Sequence, residues 1–338
     1  MFTERCNARC RHCSVPRFMH QEQDMPLADA FRYIEQFAAL PREENSFTIA
    51  LTGGEAFLRY PDLLAVTRYA KQKGAAHVTC VTNGFWGKDR AMAGRWVSEL
   101  HHSGMDRLCF SLGDFHQEYI PMHSVLSAFE VCREVGVRLA IKCVVTRHTQ
   151  RLPQVLGNLG NLLLDAEVII QEIACVPEGR AAKEIPLDEL LLQEGIPQEP
   201  CPGLVSLTTL PDGTTFPCCG GGWTERLVVG NARAESIADL MNRARNKPLF
   251  AALQDKGPLF FVPYFTQAGF PLPEEGYVNS CHLCMAILDH PKVERILPSA
   301  LRNWKIERVQ KSLGGLWKPD KAEHKKLRVL TRAKRQNG

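Results

Sequence analysis

The residues best suited to chemistry lie near the start of the chain, in Cys6-Asn7-Ala8-Arg9-Cys10-Arg11-His12-Cys13. Three cysteines at the spacing C-x3-C-x2-C can place three thiolates around one iron–sulfur cluster from a single loop. A [4Fe–4S] cluster has four irons, so three cysteines leave one iron without a protein ligand. The spacing therefore predicts a cluster with an open iron, where chemistry can occur in addition to electron storage.

A zinc site is the alternative interpretation of these three cysteines. Zinc in proteins prefers four ligands. His12 stands between two of the cysteines, where we expect that its ring cannot easily join them as the fourth ligand. We therefore favour the iron–sulfur cluster.

The remaining ten of the 13 cysteines fall into two groups. Five are single residues in apolar surroundings and are expected to be small buried side chains: Cys80, Cys109, Cys132, Cys143 and Cys175. Five have the spacings of metal ligands: Cys201, Cys218, Cys219, Cys281 and Cys284. Cysteines of a cytoplasmic chain, which we expect here, rarely form disulfides, and their number is odd. Both points argue against a framework of disulfides.

The composition is that of an ordinary globular protein, with 45% hydrophobic and 23% charged residues in 338. We find no apolar run long enough to span a membrane and no room for a signal peptide before Cys6, so we expect a cytoplasmic protein. Twelve Lys and Arg against three acidic residues give the segment from Arg302 onward a net charge of +9. The rest of the chain carries 29 basic and 34 acidic side chains, a net charge of −5.

Buried strands and amphipathic helices alternate over about the first half of the chain. The apolar patterns predict strands at 46–51, 77–82, 107–112, 137–145 and 168–176, and helices at 27–40, 61–73, 89–103, 121–135 and 152–164. Such alternation predicts a parallel sheet wrapped by helices. Loops at the carboxyl ends of its strands would bring the cysteine loop together with Gly53-Gly54-Glu55, Asn83 and Ser111.

These motifs resemble those of radical S-adenosylmethionine (SAM) enzymes, over residues 6 to about 176. The resemblance implies that Cys6, Cys10 and Cys13 bind a [4Fe–4S] cluster whose fourth iron is chelated by SAM. It also implies that Gly53, Gly54 and Glu55 meet the SAM amino group. Ser111 at the end of a strand would contact the ribose, and Asn83 would be a SAM contact or only a turn residue.

The resemblance also implies a fold and a reaction. The fold would be α/β, a partial (β/α)6 TIM-like barrel whose first strand is short or truncated, over 2–5. An external donor of the flavodoxin or ferredoxin type would reduce the cluster. SAM would then be cleaved to methionine and a 5′-deoxyadenosyl radical that removes a hydrogen atom from the substrate.

A second pattern begins at Cys201. Pro211-Asp212-Gly213 predicts a hairpin turn between short strands at 205–210 and 214–216, and a helix is predicted at 235–244. The cysteines around it resemble the auxiliary-cluster extension of radical SAM enzymes, in its shorter twitch form rather than its longer SPASM form. We expect Cys201, Cys218, Cys281 and Cys284 to hold one [4Fe–4S] cluster, with a structural zinc site as the alternative.

These features divide the chain into a radical SAM core domain (1–180), a small α+β auxiliary-cluster domain (181–300) and a basic tail (301–338). Cys219 is then free to donate a hydrogen atom, as in radical SAM epimerases, although it could also be an inert thiol or exchange with Cys218 as ligand. His116 lies where substrate would enter, and a capping loop is its alternative role.

A ribosomally synthesised peptide is the expected substrate, to be crosslinked, oxidised or epimerised. The alternative substrate is a small carbohydrate or aminocyclitol, dehydrogenated or epimerised, and a non-catalytic iron–sulfur or zinc protein is the remote alternative. The basic tail could contact an acidic peptide or simply be solvated. We recognise no nucleic-acid-binding module and do not expect that partner.

Overall fold

The computed structural model describes residues 1–15, 23–41, 46–160, 168–199, 201, 206–218 and 224–314. Its centre is a five-stranded sheet in which neighbouring strands are all parallel and follow the order of the chain. The strands are β1 (Thr48–Leu51), β2 (His77–Thr82), β3 (Arg107–Leu112), β4 (Arg138–Val145) and β5 (Val168–Ala174). The α/β fold class is confirmed, and the sheet is consistent with a partial TIM-like barrel.

Helices cover one face of this sheet. They are α1 (Leu27–Ala38), α2 (Tyr60–Gln72), α3 (Arg90–His102), α4 (Asp114–Gln117), α5 (Met122–Val135) and α6 (Leu152–Gly157). Phe110 of β3 packs against Phe129 of α5 and against Trp86, so alternate residues of β3 face the helices. Of the helix predicted at 152–164, residues 161–164 lie outside the described residues.

The segment 2–5 lies beside the turn that follows β1. Thr3 forms a parallel bridge with Gly53, and the Gly54 N–H donates to the Thr3 carbonyl at 2.7 Å. The expected short first strand is therefore present as two isolated bridges of Thr3, the parallel one to Gly53 and an antiparallel one to Asp24. Two further backbone hydrogen bonds, from Phe2 and Glu55, extend the contact with the turn after β1. This contact fixes the chain just before the first cysteine.

The second half of the chain is mostly helical. It contains α7 (Ala181–Glu184), a small antiparallel sheet of β6 (Thr208–Thr209), β7 (Thr214–Phe216) and β8 (Gly230–Asn231), and then α8 (Ile237–Asn246), α9 (Pro248–Lys256), α10 (Val262–Gln267), α11 (Ser280–Leu288) and α12 (Val293–Gly314). The hairpin turn forms as expected, since Asp212 accepts from the Thr214 N–H and Gly213 has a φ of +89°.

The structure differs from the predicted division of the chain at residue 300. Helix α12 begins before that position and continues to Gly314, because Trp304 is buried and donates to Asp255 of α9 at 2.9 Å. The rest of the predicted basic tail lies outside the described residues. Within the described part of the chain, no helix has both the length and the apolar character needed to cross a membrane.

One buried core also crosses residue 180, the predicted boundary between the two domains. Phe2 from the first segment, Phe216 from β7 and Trp304 from α12 belong to the same cluster of buried side chains. The two parts therefore share a core, and we keep the boundary at 180 only as a proposed division of function.

Candidate functional site

The cysteine loop and the glycine pair after β1 interlock through their backbones. The Glu55 N–H donates to the Arg5 carbonyl at 2.8 Å, next to the bond from Gly54 to Thr3. A Cβ atom on Gly54 would lie 2.1 Å from the Arg5 oxygen, and one on Gly53 would lie 2.1 Å from the Thr3 oxygen. Two glycines are needed here because the two backbones touch.

Glu55 is buried and its carboxylate is fully oriented. It accepts hydrogen bonds from the Phe57 N–H, the Thr82 hydroxyl and the Asn83 N–H, at 3.1, 2.9 and 2.7 Å. Burial raises the pKa of Glu55 to about 7, and these three donors oppose the rise. The carboxylate thus ties the end of β2 to the glycine turn after β1.

Asn83 links the same edge of the sheet to the cysteine loop. Its side-chain amide donates to the Asn7 side chain at 2.9 Å, and its side-chain oxygen accepts from the Phe85 N–H at 3.1 Å. The predicted residues Glu55 and Asn83 are therefore brought together with the cysteine loop. Ser111 lies at the end of β3 on the face of the sheet opposite the helices.

The cysteine loop rests on a small apolar cluster of its own. Cys10 is buried in this cluster with Ala8, Phe115, Cys175, Ala181, Ile185, Leu190 and Val278. The backbone N–H of Arg180 donates to the Cys13 carbonyl at 2.8 Å, and its guanidinium donates to the Cys10 carbonyl at 3.0 Å. Arg180 is not among the site residues predicted from the sequence, although its position after the last strand, in a turn begun by Gly179, is a usable signal.

The three thiols of the loop lie within electrostatic reach of one another. Burial, together with the neighbouring thiols of Cys13 and Cys6, raises the pKa of Cys10 to about 12. Burial likewise raises the pKa of Cys6, with Glu55 and Cys13 among the groups that add to the rise. A metal cluster binds the thiolate form, so binding at these cysteines would release protons and depend on pH.

His12 lies close to one cysteine of the loop, Cys10, and to His116. Ligand atoms of Cys10, His12 and His116 all lie within 4.8 Å of one another, and the two imidazoles meet edge to face at 4.6 Å. Burial lowers the pKa of His12 to about 3 and that of His116 to about 4. Nδ1 of His12 is buried without a hydrogen-bond partner among the described residues. His116, predicted to lie near the substrate, thus packs directly against the cysteine loop.

The second group of cysteines is assembled around the first turn of α11. The Asn279 side chain accepts from the His282 N–H at the start of this helix, and Cys281 and Cys284 stand three residues apart on one side of it. Burial raises the pKa of Cys284 far above its usual value. Cys201, Cys218 and Cys281 add to this rise, so all four predicted ligands lie close together.

One group of three metal-ligating side chains has all its ligand atoms within 4.8 Å of one another among the described residues, and it consists of Cys10, His12 and His116. Cys219 lies outside the described residues.

Comparison with known proteins agrees with the first of these sites. Residues 1–149 match the model of the radical SAM superfamily. The GTP 3′,8-cyclase of Aquifex aeolicus is 25% identical over 206 residues, which are 56% of this chain and 61% of that protein. The GTP 3′,8-cyclase of Heliobacterium modesticaldum is 31% identical over 121 residues, 34% of this chain and 33% of that protein. The chain thus spans about half the length of the curated relatives that it matches.

Solved structures show the same fold over a longer stretch. The structure of anSMEcpe with bound AdoMet and the Kp18Cys peptide covers 88% of this chain and 96% of its own, with a TM-score of 0.51 and 15% identity. That of anSMEcpe with bound AdoMet alone covers 73% of this chain and 82% of its own, with a TM-score of 0.50 and 17% identity. At these identities the likeness concerns the fold. The family model thus matches residues 1–149, a little under half of the chain, and the solved structures share the fold.

Proposed function

We propose that the chain is a radical SAM enzyme in which Cys6, Cys10 and Cys13 hold a [4Fe–4S] cluster. The observation that carries this proposal is the backbone interlock of Gly54 and Glu55 with the segment that leads into Cys6. It holds three thiols at one edge of a parallel sheet, next to an oriented carboxylate. Soft thiolate ligands with a vacant position beside them suit an iron–sulfur cluster that takes a further ligand.

SAM would be held by Gly53, Gly54, Glu55, Asn83 and Ser111. The chemistry that a bound and reduced cluster would supply is the electron for cleavage of SAM to a 5′-deoxyadenosyl radical. The carboxylate of Glu55 is fixed by three donors and has lone pairs left to accept from the SAM ammonium group. An electron donor of the flavodoxin or ferredoxin type would serve the cluster.

We further propose a second [4Fe–4S] cluster at Cys201, Cys218, Cys281 and Cys284. Four thiolates around one zinc ion, at about 2.3 Å from the metal, stand about 3.8 Å apart. A cubane keeps its four thiolates farther apart, since each binds a different corner. The distances between these four thiolates in the metal-loaded protein would therefore distinguish a cluster from zinc. The positive end of the α11 dipole favours thiolates at Cys281 and Cys284.

A peptide is the substrate class that we propose first. The structure of anSMEcpe with a bound peptide covers 88% of this chain, which supports a similar arrangement over both halves. Cys219 as hydrogen donor and His116 as a residue near the substrate belong to the same proposal. A second candidate substrate is a nucleotide, which the curated relatives named GTP 3′,8-cyclase favour.

Anaerobic reconstitution with iron and sulfide tests the two clusters. We expect about eight irons per wild-type chain, and about four in either Cys10→Ser or Cys284→Ser. Cys132→Ser is the matched control, because Cys132 is buried in α5 away from both groups, and it should keep about eight. About four irons in the wild-type chain would contradict the second cluster.

The reaction is tested on the same samples with SAM and dithionite. Wild type and Cys132→Ser should form 5′-deoxyadenosine, and Cys10→Ser should form none. Absence of 5′-deoxyadenosine from iron-loaded wild-type protein would refute the proposed function. Normal turnover by an iron-loaded Cys219→Ala variant would exclude that residue as hydrogen donor.

A further inference from the structure

The face of the sheet opposite the helices is open, and we call it the inner face. In β3 it carries Arg107, Cys109 and Ser111, since the alternate residues pack against the helices. Register extends it across the sheet, because Ser111 pairs with Lys142 of β4 and Lys142 pairs with Gln171 of β5. These residues line the lumen that a TIM-like barrel would enclose.

Two cations stand on this inner face without a carboxylate. Among the described residues, neither Arg107 nor Lys142 makes an ion pair, and Nε of Arg107 is buried without a hydrogen-bond partner. Other basic side chains of the sheet differ, as Arg138 pairs with Asp106. A partly buried guanidinium with an unsatisfied N–H is costly unless a ligand completes it.

Cys109 neighbours both cations on the inner face, since it stands two residues from Arg107 along β3 and diagonally across from Lys142 of β4. Burial raises the pKa of the Cys109 thiol, and the charges of Lys142 and Arg107 oppose that rise. Cys109 lies between Arg107 and Ser111 along β3. Arg107 precedes it on the same strand, and Lys142 stands on the neighbouring strand β4. One compact anion over Cys109 could therefore contact both.

Two exposed apolar side chains also stand on the inner face, on the strand next to Lys142. Ile169 and Ile173 of β5 lie on the inner face on either side of Gln171 and are 45% and 36% exposed. Exposed isoleucines in a concave position favour ligands that also carry apolar groups. Ser111, the register partner of Lys142, stands near the edge of the sheet that leads to His116. SAM would bind at this same edge.

We propose that Arg107 and Lys142 bind a compact anionic group of the substrate, a carboxylate or a phosphate. The proposal rests on the proposed function, which places a substrate in this lumen. Arg107 offers a planar fork of N–H donors and Lys142 a point charge, a combination that suits either group. An acidic peptide side chain and a nucleotide phosphate are the two sources of such a group.

The binding test uses the cluster-loaded protein with SAM and isothermal titration calorimetry. Glutarate and inorganic phosphate are the anionic probes, and glutaramide is the neutral analogue of glutarate. Glutarate should bind at least 10-fold more tightly than glutaramide to wild-type protein, because bonds to charged groups contribute about 1.5–3 kcal/mol. Equal affinity for the two would overturn the proposal without any variant.

Variants locate the anion. Lys142→Gln and Arg107→Gln should each weaken glutarate binding about 10-fold, whereas Lys88→Gln, on the exposed end of a short helix, should not. Both inner-face variants remove a charge that has no carboxylate partner, so their unfolding midpoints should not fall. Unchanged glutarate affinity in Lys142→Gln would overturn the proposal.

Two further binding measurements distinguish a peptide from a nucleotide as the source of the anion. Preference for a glutamate-containing peptide over its glutamine counterpart supports the peptide carboxylate, and preference for a nucleotide over its nucleoside supports the phosphate. A 10-fold loss of SAM affinity in Lys142→Gln would assign the cation to SAM and overturn the proposal.

The outcome is also separable from the proposed function. Substrate-free formation of 5′-deoxyadenosine should be the same in Lys142→Gln and wild type. Anion binding without SAM cleavage in wild type would refute the proposed function alone, and SAM cleavage without anion binding would refute this inference alone.

Discussion

Replacing Gly54 by alanine tests the contact on which the candidate site depends. The new Cβ would lie 2.1 Å from the Arg5 oxygen, 2.5 Å from the Arg5 carbonyl carbon and 2.7 Å from the Glu4 oxygen. All three atoms are backbone, so no flexible side chain can move to make room. The segment before Cys6 must shift away by about 1 Å to restore ordinary contact distances.

The cost can be worked from the bonds that this shift breaks. Gly54 donates to Thr3 at 2.7 Å and Glu55 donates to Arg5 at 2.8 Å. Each bond contributes about 0.5–1.5 kcal/mol net, and residual overlap costs about 1–3 kcal/mol. We therefore expect a loss of about 2–5 kcal/mol in the free energy of unfolding.

Urea unfolding of the metal-free protein measures this loss. With a slope of about 3 kcal/mol per molar, the midpoint of Gly54→Ala should fall by about 1 M. Gly94→Ala is the matched control, because Gly94 lies in α3 and a Cβ there meets no atom within 4 Å. That variant should be more stable by about 0.5–1 kcal/mol. A Gly54→Ala midpoint equal to that of wild type would refute the packing argument.

Three further predictions concern the same edge of the sheet and its opposite end. Glu55→Gln places an amide N–H against one of three hydrogen-bond donors and should lower the free energy of unfolding by about 1–3 kcal/mol, measured as a lower thermal midpoint. The exposed Glu194→Gln is the control and should leave the midpoint unchanged. Arg180→Gln removes a hydrogen bond to the cysteine loop and should lower iron retention after reconstitution, whereas the exposed Lys183→Gln should retain wild-type iron. Burial would raise the pKa of Asp106, but the Val78 N–H and the Lys71 ammonium group hold it below its ordinary value. The unfolded state then binds more protons in acid, so wild type should lose stability as pH falls below about 4, and Asp106→Asn should flatten that loss in midpoints measured from pH 2 to 6.

The regular elements of the sheet follow closely from local sequence. The bounds of β2 and β3 agree with the prediction because each apolar run ends at a turn, Asn83-Gly84 and Gly113-Asp114. Helices α1, α2, α3 and α5 end within one or two residues of their predicted bounds. Such signals are local, and the structure did not override them.

What the sequence could not supply is contact between distant segments. Arg180 binds the cysteine loop although 170 residues separate it from Cys10 in the sequence. His116 likewise contacts His12, although strands β1 to β3 lie between them in the sequence. The inner-face pair Arg107 and Lys142 depends on the register of two strands. The part of α12 beyond residue 300 falls within the predicted basic tail. Its burial depends on Trp304 packing beside α9, a contact that the local sequence does not indicate.

The contact between Arg180 and the cysteine loop has a consequence for the order of biosynthesis. The loop leaves the ribosome before the arginine that holds its carbonyls, which follows 170 residues later. Until β5 and the turn after it are made, the loop lacks its seat on Cys175 and Ala181. A cluster delivered during translation would meet three thiols on an unanchored chain, so metal loading is best timed after the sheet is complete.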